Sequence, residues 1–122
     1  MLRVAPLAAL LLALAAPALA DSYPVTGRFG VVAGFTDEPL DCTGQRTIAF
    51  AGNQRTDSHG GVPAYRNSTV VADGAARWQV TDVFSTGQIA NAQAVYTLHA
   101  LDDRRVEMIL QTGGTLMLQR CK

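Results

Sequence analysis

The residue types most capable of chemistry in this chain are concentrated in one stretch, DSHGGVPAYR, at positions 57–66. Asp57, Ser58 and His59 are the residue types of a hydrolase triad, but a triad needs its histidine between the nucleophile and the acid, and three adjacent residues cannot arrange that. The two glycines lack the following helix and the sequence pattern of a phosphate-binding loop. The simplest interpretation is a long connection between strands, whose polar residues could still form a binding surface.

A metal site is also a weak interpretation of this stretch. Asp57 and His59 can share one face of an extended chain, yet two ligands do not make a specific site. The other histidine, His99, lies on a different predicted strand, on the face opposite Tyr96 and Leu98. The sequence contains no nucleophile–base pair, metal cluster or cofactor fingerprint, so we expect a protein that is not an enzyme and holds no metal and no cofactor.

The first twenty residues have the form of a secretory signal peptide. Arg3 precedes an apolar run that ends in Ala-Leu-Ala at positions 18–20, a small-residue cleavage pattern. A membrane anchor is the alternative, but the run is short for a span and is interrupted by two prolines. We therefore expect residues 1–20 to be a signal peptide and residues 21–122 to form a single domain, which is periplasmic or extracellular and not inserted in a membrane.

The charge of the mature part is close to zero. The ten basic residues of the chain include Arg3 in the leader, which leaves nine against ten acidic residues. A near-neutral chain without a basic run offers no electrostatic footprint for nucleic acid or for an anionic membrane surface. The expected partner is therefore a small molecule or another protein.

The two cysteines of the chain are Cys42 and Cys121. An even number of cysteines in an exported chain favours a disulfide between them. Two free thiols or bridges between molecules are the alternatives. Such a bond would close a long loop, and the chain-entropy relation gives it about 4–5 kcal/mol of stabilisation before strain is subtracted.

The pattern of the mature chain is that of strands and turns. Two polar segments, 52–66 and 84–93, are predicted to be long loops, and the second could add a further strand. Turn signals recur about every ten residues, as in small barrels and sandwiches, and a barrel is favoured because closure removes exposed strand edges. The sequence thus predicts an all-β, antiparallel barrel of seven or eight strands with one disulfide. Seven segments show strand-like alternation: 25–34, 46–50, 67–72, 77–83, 95–101, 105–111 and 115–121.

Three features near the two ends of the mature chain resemble the lipocalin and calycin arrangement. They are Gly27-Arg28-Phe29 in the first strand, Arg120 in the last strand, and Cys121 stapled back to the early chain. In that family a tryptophan packs under the arginine and shuts the barrel floor, and Phe29 stands at its position here. The length is closer to avidins and to small secreted protease inhibitors of calycin shape. The resemblance implies a ligand cup or an inhibitor plug rather than an enzyme, with Phe29 and Arg120 in contact at the closed end.

The predicted function is that of an exported, non-enzymatic barrel that binds a small apolar ligand or a protein partner through its long loops. A secreted protease inhibitor and a purely structural envelope protein are the alternatives. Tyr65 and Arg66 at the exit of the first loop are candidate contacts, because tyrosine and arginine combine large contact area with directional hydrogen bonds. Trp78 and Tyr96 are candidate interior walls, although a core anchor is the simpler role for Trp78. A glycosylation acceptor at positions 67–69 is discounted because it begins a strand.

Overall fold

A computed structural model of the chain describes residues 22–122, which form eight strands. Each strand pairs antiparallel with the next along the chain, and β8 pairs with β1, so the sheet closes into a barrel. The prediction of an all-β antiparallel barrel is confirmed, whereas the predicted signal peptide lies outside the described residues. No helix within residues 22–122 has the length and apolarity needed to cross a membrane. The strands are β1 (Gly27–Val32), β2 (Thr47–Ala51), β3 (Gln54–Asp57), β4 (Tyr65–Ala72), β5 (Arg77–Phe84), β6 (Ala92–Ala100), β7 (Arg105–Leu110) and β8 (Thr115–Arg120).

The eighth strand comes from the first predicted loop and not from the second. β3 lies inside the segment 52–66 and pairs with β2 over four residues, so the prediction that this whole segment is a loop was wrong. The segment 84–93 gives only its ends to β5 and β6, and residues 85–91 form a connection. β3 and β4 share only two register pairs, Gln54 with Arg66 and Arg55 with Tyr65.

The core fills the half of the barrel that contains the start of β1 and the end of β8. Successive side chains of a strand point to opposite faces, so alternate residues enter the interior. A β-bulge between Asn67 and Thr69 changes this alternation in β4, and it allows both Asn67 and Val70 to be paired with inward-facing residues of β5. The fully buried apolar side chains are Phe29, Ile48, Phe50, Val80, Leu98, Val106 and Leu118.

In an antiparallel meander, alternate connections lie at the same end of the barrel. The two ends of this barrel differ in the length of their connections and in what covers them. Tyr23, which precedes β1, covers what we call the closed end: its backbone N–H donates to the carbonyl of Gly52 over 2.9 Å, and its ring packs edge-on against Phe50 at 5.0 Å. The closed end has short connections at 52–53, 73–76 and 101–104. The other end, called the open end, has the connections 33–46, 58–64, 85–91 and 111–114.

Phe29 and Arg120 meet at the closed end, as the resemblance implied. They are register partners in β1 and β8, and the guanidinium carbon of Arg120 lies 4.7 Å from the ring centroid of Phe29. Arg120 also donates hydrogen bonds from Nε to the carbonyl of Asp103 and from Nη1 to the carbonyl of Thr26. A side chain at Gly27 would collide with this guanidinium, which explains the glycine beside the aromatic position.

The predicted disulfide between Cys42 and Cys121 is confirmed, with a Cα–Cα distance of 5.6 Å. It fastens the connection 33–46 against the outside of β1 and β8. Leu40 and Cys42 lie so close to Gly30 that a Cβ there would come within 2.7 Å of the Leu40 side chain. The buried side chain of Gln119 holds the same connection through hydrogen bonds with Thr36.

Candidate functional site

The interior of the open end forms a depression of about 330 Å³, which we call the cup. Register pairs face the same side of a sheet, so its walls can be read from the pairing. One wall, on β3, β4 and the residue just before β2, is polar, and the facing wall, on β7 and β8, is apolar. The ring of Tyr96 lies between the two. The polar wall consists of Arg46, Arg55, Asp57 and Tyr65, and the apolar wall of Met108, Leu110 and Leu116.

Arg46 and Asp57 form a paired rim on the polar wall. Arg46 donates from Nε and Nη2 to the two carboxylate oxygens of Asp57 over 3.0 and 2.7 Å. The backbone N–H of His59 donates to the same carboxylate. Burial alone would raise the pKa of Asp57, but the hydrogen bonds from Arg46 and His59 outweigh burial and lower it. The pair therefore stays ionised down to acidic pH.

A second ion pair lies deeper, between Arg55 and Asp82. Arg55 is 3% exposed and Asp82 is 0% exposed, and Nε of Arg55 donates to Oδ2 of Asp82 over 2.8 Å. Burial alone would lower the pKa of Arg55, but the nearby Tyr96 oxygen and the Asp82 carboxylate outweigh burial and raise it. The guanidinium is therefore charged at every physiological pH, and Asp82 supplies the opposite charge.

Three further polar side chains converge on Asp82. The hydroxyl of Tyr96 donates to Oδ2 over 2.7 Å, and Nδ2 of Asn67 lies 3.4 Å from Oδ1. The hydroxyl of Tyr23 approaches from the closed end, but neither it nor Oδ1 of Asn67 has a hydrogen-bond partner among residues 22–122. Burial is the largest cause that raises the pKa of both tyrosines above the usual 10.0, and the charge of Asp82 adds to it. Both phenols are thus held in the neutral form.

The guanidinium of Arg55 lies between two aromatic rings. Its central carbon is 3.8 Å from the ring centroid of Tyr65 and 5.1 Å from that of Tyr96. Within residues 22–122, Arg55 donates a side-chain hydrogen bond from Nε alone, and it is one of the residues that line the cup. Its two terminal nitrogens therefore make no hydrogen bond within the described residues, and Arg55 itself lines the inner part of a concave site.

The structure brings two of the four candidate contact residues together. Tyr65 and Tyr96 both line the cup and both contact Arg55. Arg66, the neighbour of Tyr65, is exposed and lies in a groove of about 460 Å³ on the outer surface, between the connections 58–64 and 85–91. The Tyr65 and Phe84 rings, 5.0 Å apart, border this groove as well.

Trp78 lies away from the cup. It is half-buried at the closed end, packs against the core, and borders a separate depression with Ala100, Leu101 and Arg120. This placement corresponds to the core-anchor interpretation rather than to a wall of the cup.

The histidines also lie outside the cup. His99, on the outer face of β6, has Nδ1 3.1 Å from the carboxylate of Glu107, and His59 is exposed in the connection 58–64. Within residues 22–122 no cluster of three or more histidine, cysteine or acidic side chains is arranged to hold a metal ion.

Among the polar residues of the site, the sequence analysis did not single out Arg46, Arg55 or Asp82, and it considered Asn67 only as a glycosylation acceptor. A signal for Asp82 was present, because it continues the alternating series of Trp78 and Val80 on the inward face of one strand. An aspartate at an inward position requires a buried partner. Nothing in the local sequence named Arg55 as that partner, since β3 was not recognised as a strand.

Comparison with protein-family models, with curated proteins and with solved structures found no significant match for this chain.

Proposed function

We propose that this chain is an exported, non-enzymatic β-barrel that binds a small amphipathic molecule in its cup. The observation that carries the proposal is the two-sided wall of the cup: Arg55 and Tyr65 face Leu110 and Leu116 across a concave space of about 330 Å³. Binding sites for small molecules are concave, mostly apolar, and contain a few fixed polar groups; a volume near 300 Å³ is at the small end of their range. A ligand with one polar end and a short apolar body fits such walls.

The proposed export rests on the leader-like residues 1–20 and on the disulfide. Disulfides persist in oxidising compartments and are rare in the cytosol. The bond between Cys42 and Cys121 supports a periplasmic or extracellular location.

The proposal that the protein is not an enzyme rests on the chemistry of the cup. The carboxylate of Asp82 accepts hydrogen bonds from Arg55 and Tyr96, and Asp57 is bound by Arg46, so both acids serve as partners of arginines. General acid–base catalysis needs a group whose pKa lies near the working pH. The neutral phenol of Tyr96 and the charged arginines are poorly suited to that role.

The test compares two neighbouring residues of β4. Thermal-shift titration of the mature protein with amphipathic small molecules should give saturable stabilisation. Tyr65→Ala should weaken binding about tenfold or more, because truncation of a buried aromatic contact commonly removes at least about 1.4 kcal/mol of binding free energy. Arg66→Ala, whose side chain lies outside the cup, should leave the affinity unchanged. Equal affinities for the two variants would contradict a ligand in the cup.

A protein partner is the second candidate, and the outer groove beside Arg66 favours it. This groove places Pro63, Arg66 and Phe84 at one surface between two connections. A protein bound there, including a protease in the inhibitor alternative, should be released by Arg66→Ala and retained by the cup variant Met108→Ala. The reverse pattern would rule out this surface.

A further inference from the structure

We propose that the cup selects an uncharged ligand with a hydrogen-bond acceptor oxygen, such as an amide, over a carboxylate of the same length. This proposal rests on the function proposed above, and it names the chemical class of the polar end. It follows from the free donors of Arg55 together with the charge balance of the two ion pairs.

The free donors require an acceptor. The guanidinium presents its donors in a planar fork, and in the part of the chain that the structure describes only Nε is used, toward Asp82 at 2.8 Å. The ring of Tyr65 covers the guanidinium at 3.8 Å and holds the fork in place. A carbonyl oxygen that enters between the walls of the cup would accept from the terminal nitrogens, and it would replace water on a group that is 3% exposed.

The charge balance decides which kind of acceptor fits. The charge of Arg55 is already matched by Asp82 at 2.8 Å, and that of Arg46 by Asp57 at 2.7 Å. A carboxylate would therefore add one excess negative charge beside a fully buried aspartate, and an unmatched charge in such a place is strongly unfavourable. An amide oxygen accepts the same hydrogen bonds without the added charge. An ammonium group would face Arg55 with a like charge and no acceptor to offer.

The apolar body of the ligand lies toward β7 and β8. Met108, Leu110 and Leu116 supply that wall, and Met108 and Leu116 are register partners in adjacent strands. The cup, at about 330 Å³, is at the small end of the range of ligand sites, so the probes carry a short chain of about eight carbons.

The experiment measures the affinities of octanamide, octanoate and octylammonium for the mature protein by calorimetric titration. Octanamide should bind at least about tenfold more tightly than octanoate, which corresponds to about 1.4 kcal/mol or more of charge penalty. Octylammonium should bind most weakly. An octanoate affinity equal to or above that of octanamide would overturn the proposed preference for an uncharged ligand. The cup would still stand as a binding site. If none of the three binds saturably, both this proposal and the proposed function fail.

A charge variant sharpens the test. Asp82→Asn removes the negative charge that balances Arg55, so octanoate should become the preferred ligand and the ratio of the two affinities should reverse. Asp57→Asn, at the rim, should shift the ratio in the same direction by a smaller factor, and it serves where Asp82→Asn does not fold. Glu107→Gln, the matched control, removes one negative charge from the outer face and should keep the preference for octanamide. An unchanged ratio in the folded aspartate variants would overturn the argument from charge balance.

Discussion

Each end of this barrel has an arginine stacked on an aromatic ring, and the two arginines are used in opposite ways. At the closed end Arg120 covers Phe29 at 4.7 Å and gives hydrogen bonds from both Nε and Nη1 to main-chain carbonyls. At the inner end of the cup Arg55 lies 3.8 Å from Tyr65 and gives one hydrogen bond, to Asp82. One arginine is used to join three parts of the chain, and the other keeps donors available within a concave site.

The contrast separates residues that stabilise the fold from residues that are available to a ligand. Arg120 connects residues before β1 with the turn between β6 and β7, so its contacts close the barrel. Arg55 needs Asp82 to be tolerated in the interior, because a buried charge without a partner is strongly unfavourable. Asp82 therefore lies between the two ends: the Tyr96 hydroxyl donates to it from the cup, and Tyr23, at the closed end, lies near enough for the Asp82 charge to raise its pKa.

The largest expected effect is that of removing Asp82. Asp82→Ala leaves the buried Arg55 without its counter-ion, and breaking a buried pair in this way typically lowers the free energy of unfolding by about 3–5 kcal/mol. Urea denaturation of the variant and the native protein measures the difference. Glu107→Ala is the control, because its partner His99 is about one-third exposed; the expected change there is below about 1 kcal/mol. Similar losses in the two variants would show that the interior pair has no special role.

The next effect in size concerns the disulfide, which fastens the connection 33–46 against the outside of β1 and β8. Replacing both Cys42 and Cys121 by alanine should lower the free energy of unfolding by about 2–5 kcal/mol, because the unfolded chain regains the freedom of a loop with a sequence separation of 79. Denaturation of the double variant measures this. The affinity of the cup should be unchanged, since neither cysteine lines it. A loss of ligand binding in the folded variant would contradict the separation of the two ends.

The sequence was sufficient to predict the barrel because most inward positions are apolar. In β7, Val106 and Met108 are buried while Glu107 between them is polar and faces outward, so period-two alternation identifies the strand. The contact between Phe29 and Arg120 was also predictable, from a resemblance of a few residues, although the resemblance itself stays a prediction.

The cup was not predictable, because its inward positions are charged and do not follow the apolar alternation that identified the other strands. The inward residues of β3 are Arg55 and Asp57, so its alternation places charges where a hydrophobic pattern expects apolar side chains. Such a segment is indistinguishable from a polar loop until its partners, Asp82 and Arg46, are known, and these are distant in sequence. The bulge after Asn67 adds a second obstacle, because it shifts the inward series of β4 by one residue.

A smaller loss of stability is expected at alkaline pH, and it involves Tyr23 at the closed end and Tyr96 in the cup. The pKa values of Tyr23 and Tyr96 are raised above 10.0 in the folded state, so their stabilising effect is complete below pH 10 and is lost as the pH rises above it. Each tyrosine should lower the free energy of unfolding by up to about 1.4 kcal/mol per pH unit in that range. Denaturation midpoints measured at increasing pH give the slope. Tyr96→Phe should reduce the slope by about half, and an unaltered slope would show that this phenol ionises normally.

The smallest expected effect on stability is that of Arg120→Gln, and this variant tests the comparison of the two ends most directly. The variant loses the stacking on Phe29 and the two hydrogen bonds to Thr26 and Asp103, so the free energy of unfolding should fall by about 1–2 kcal/mol. Its affinity for a ligand of the cup should be that of the native protein, because Arg120 lies at the other end. Tyr65→Ala should show the converse, a large loss of affinity with a modest change in stability. Paired measurements of denaturation and calorimetric titration on the two variants therefore test whether stability and binding are separated along the barrel. If Arg120→Gln weakens binding as much as Tyr65→Ala does, the two ends act as one unit and the distinction between their arginines is wrong.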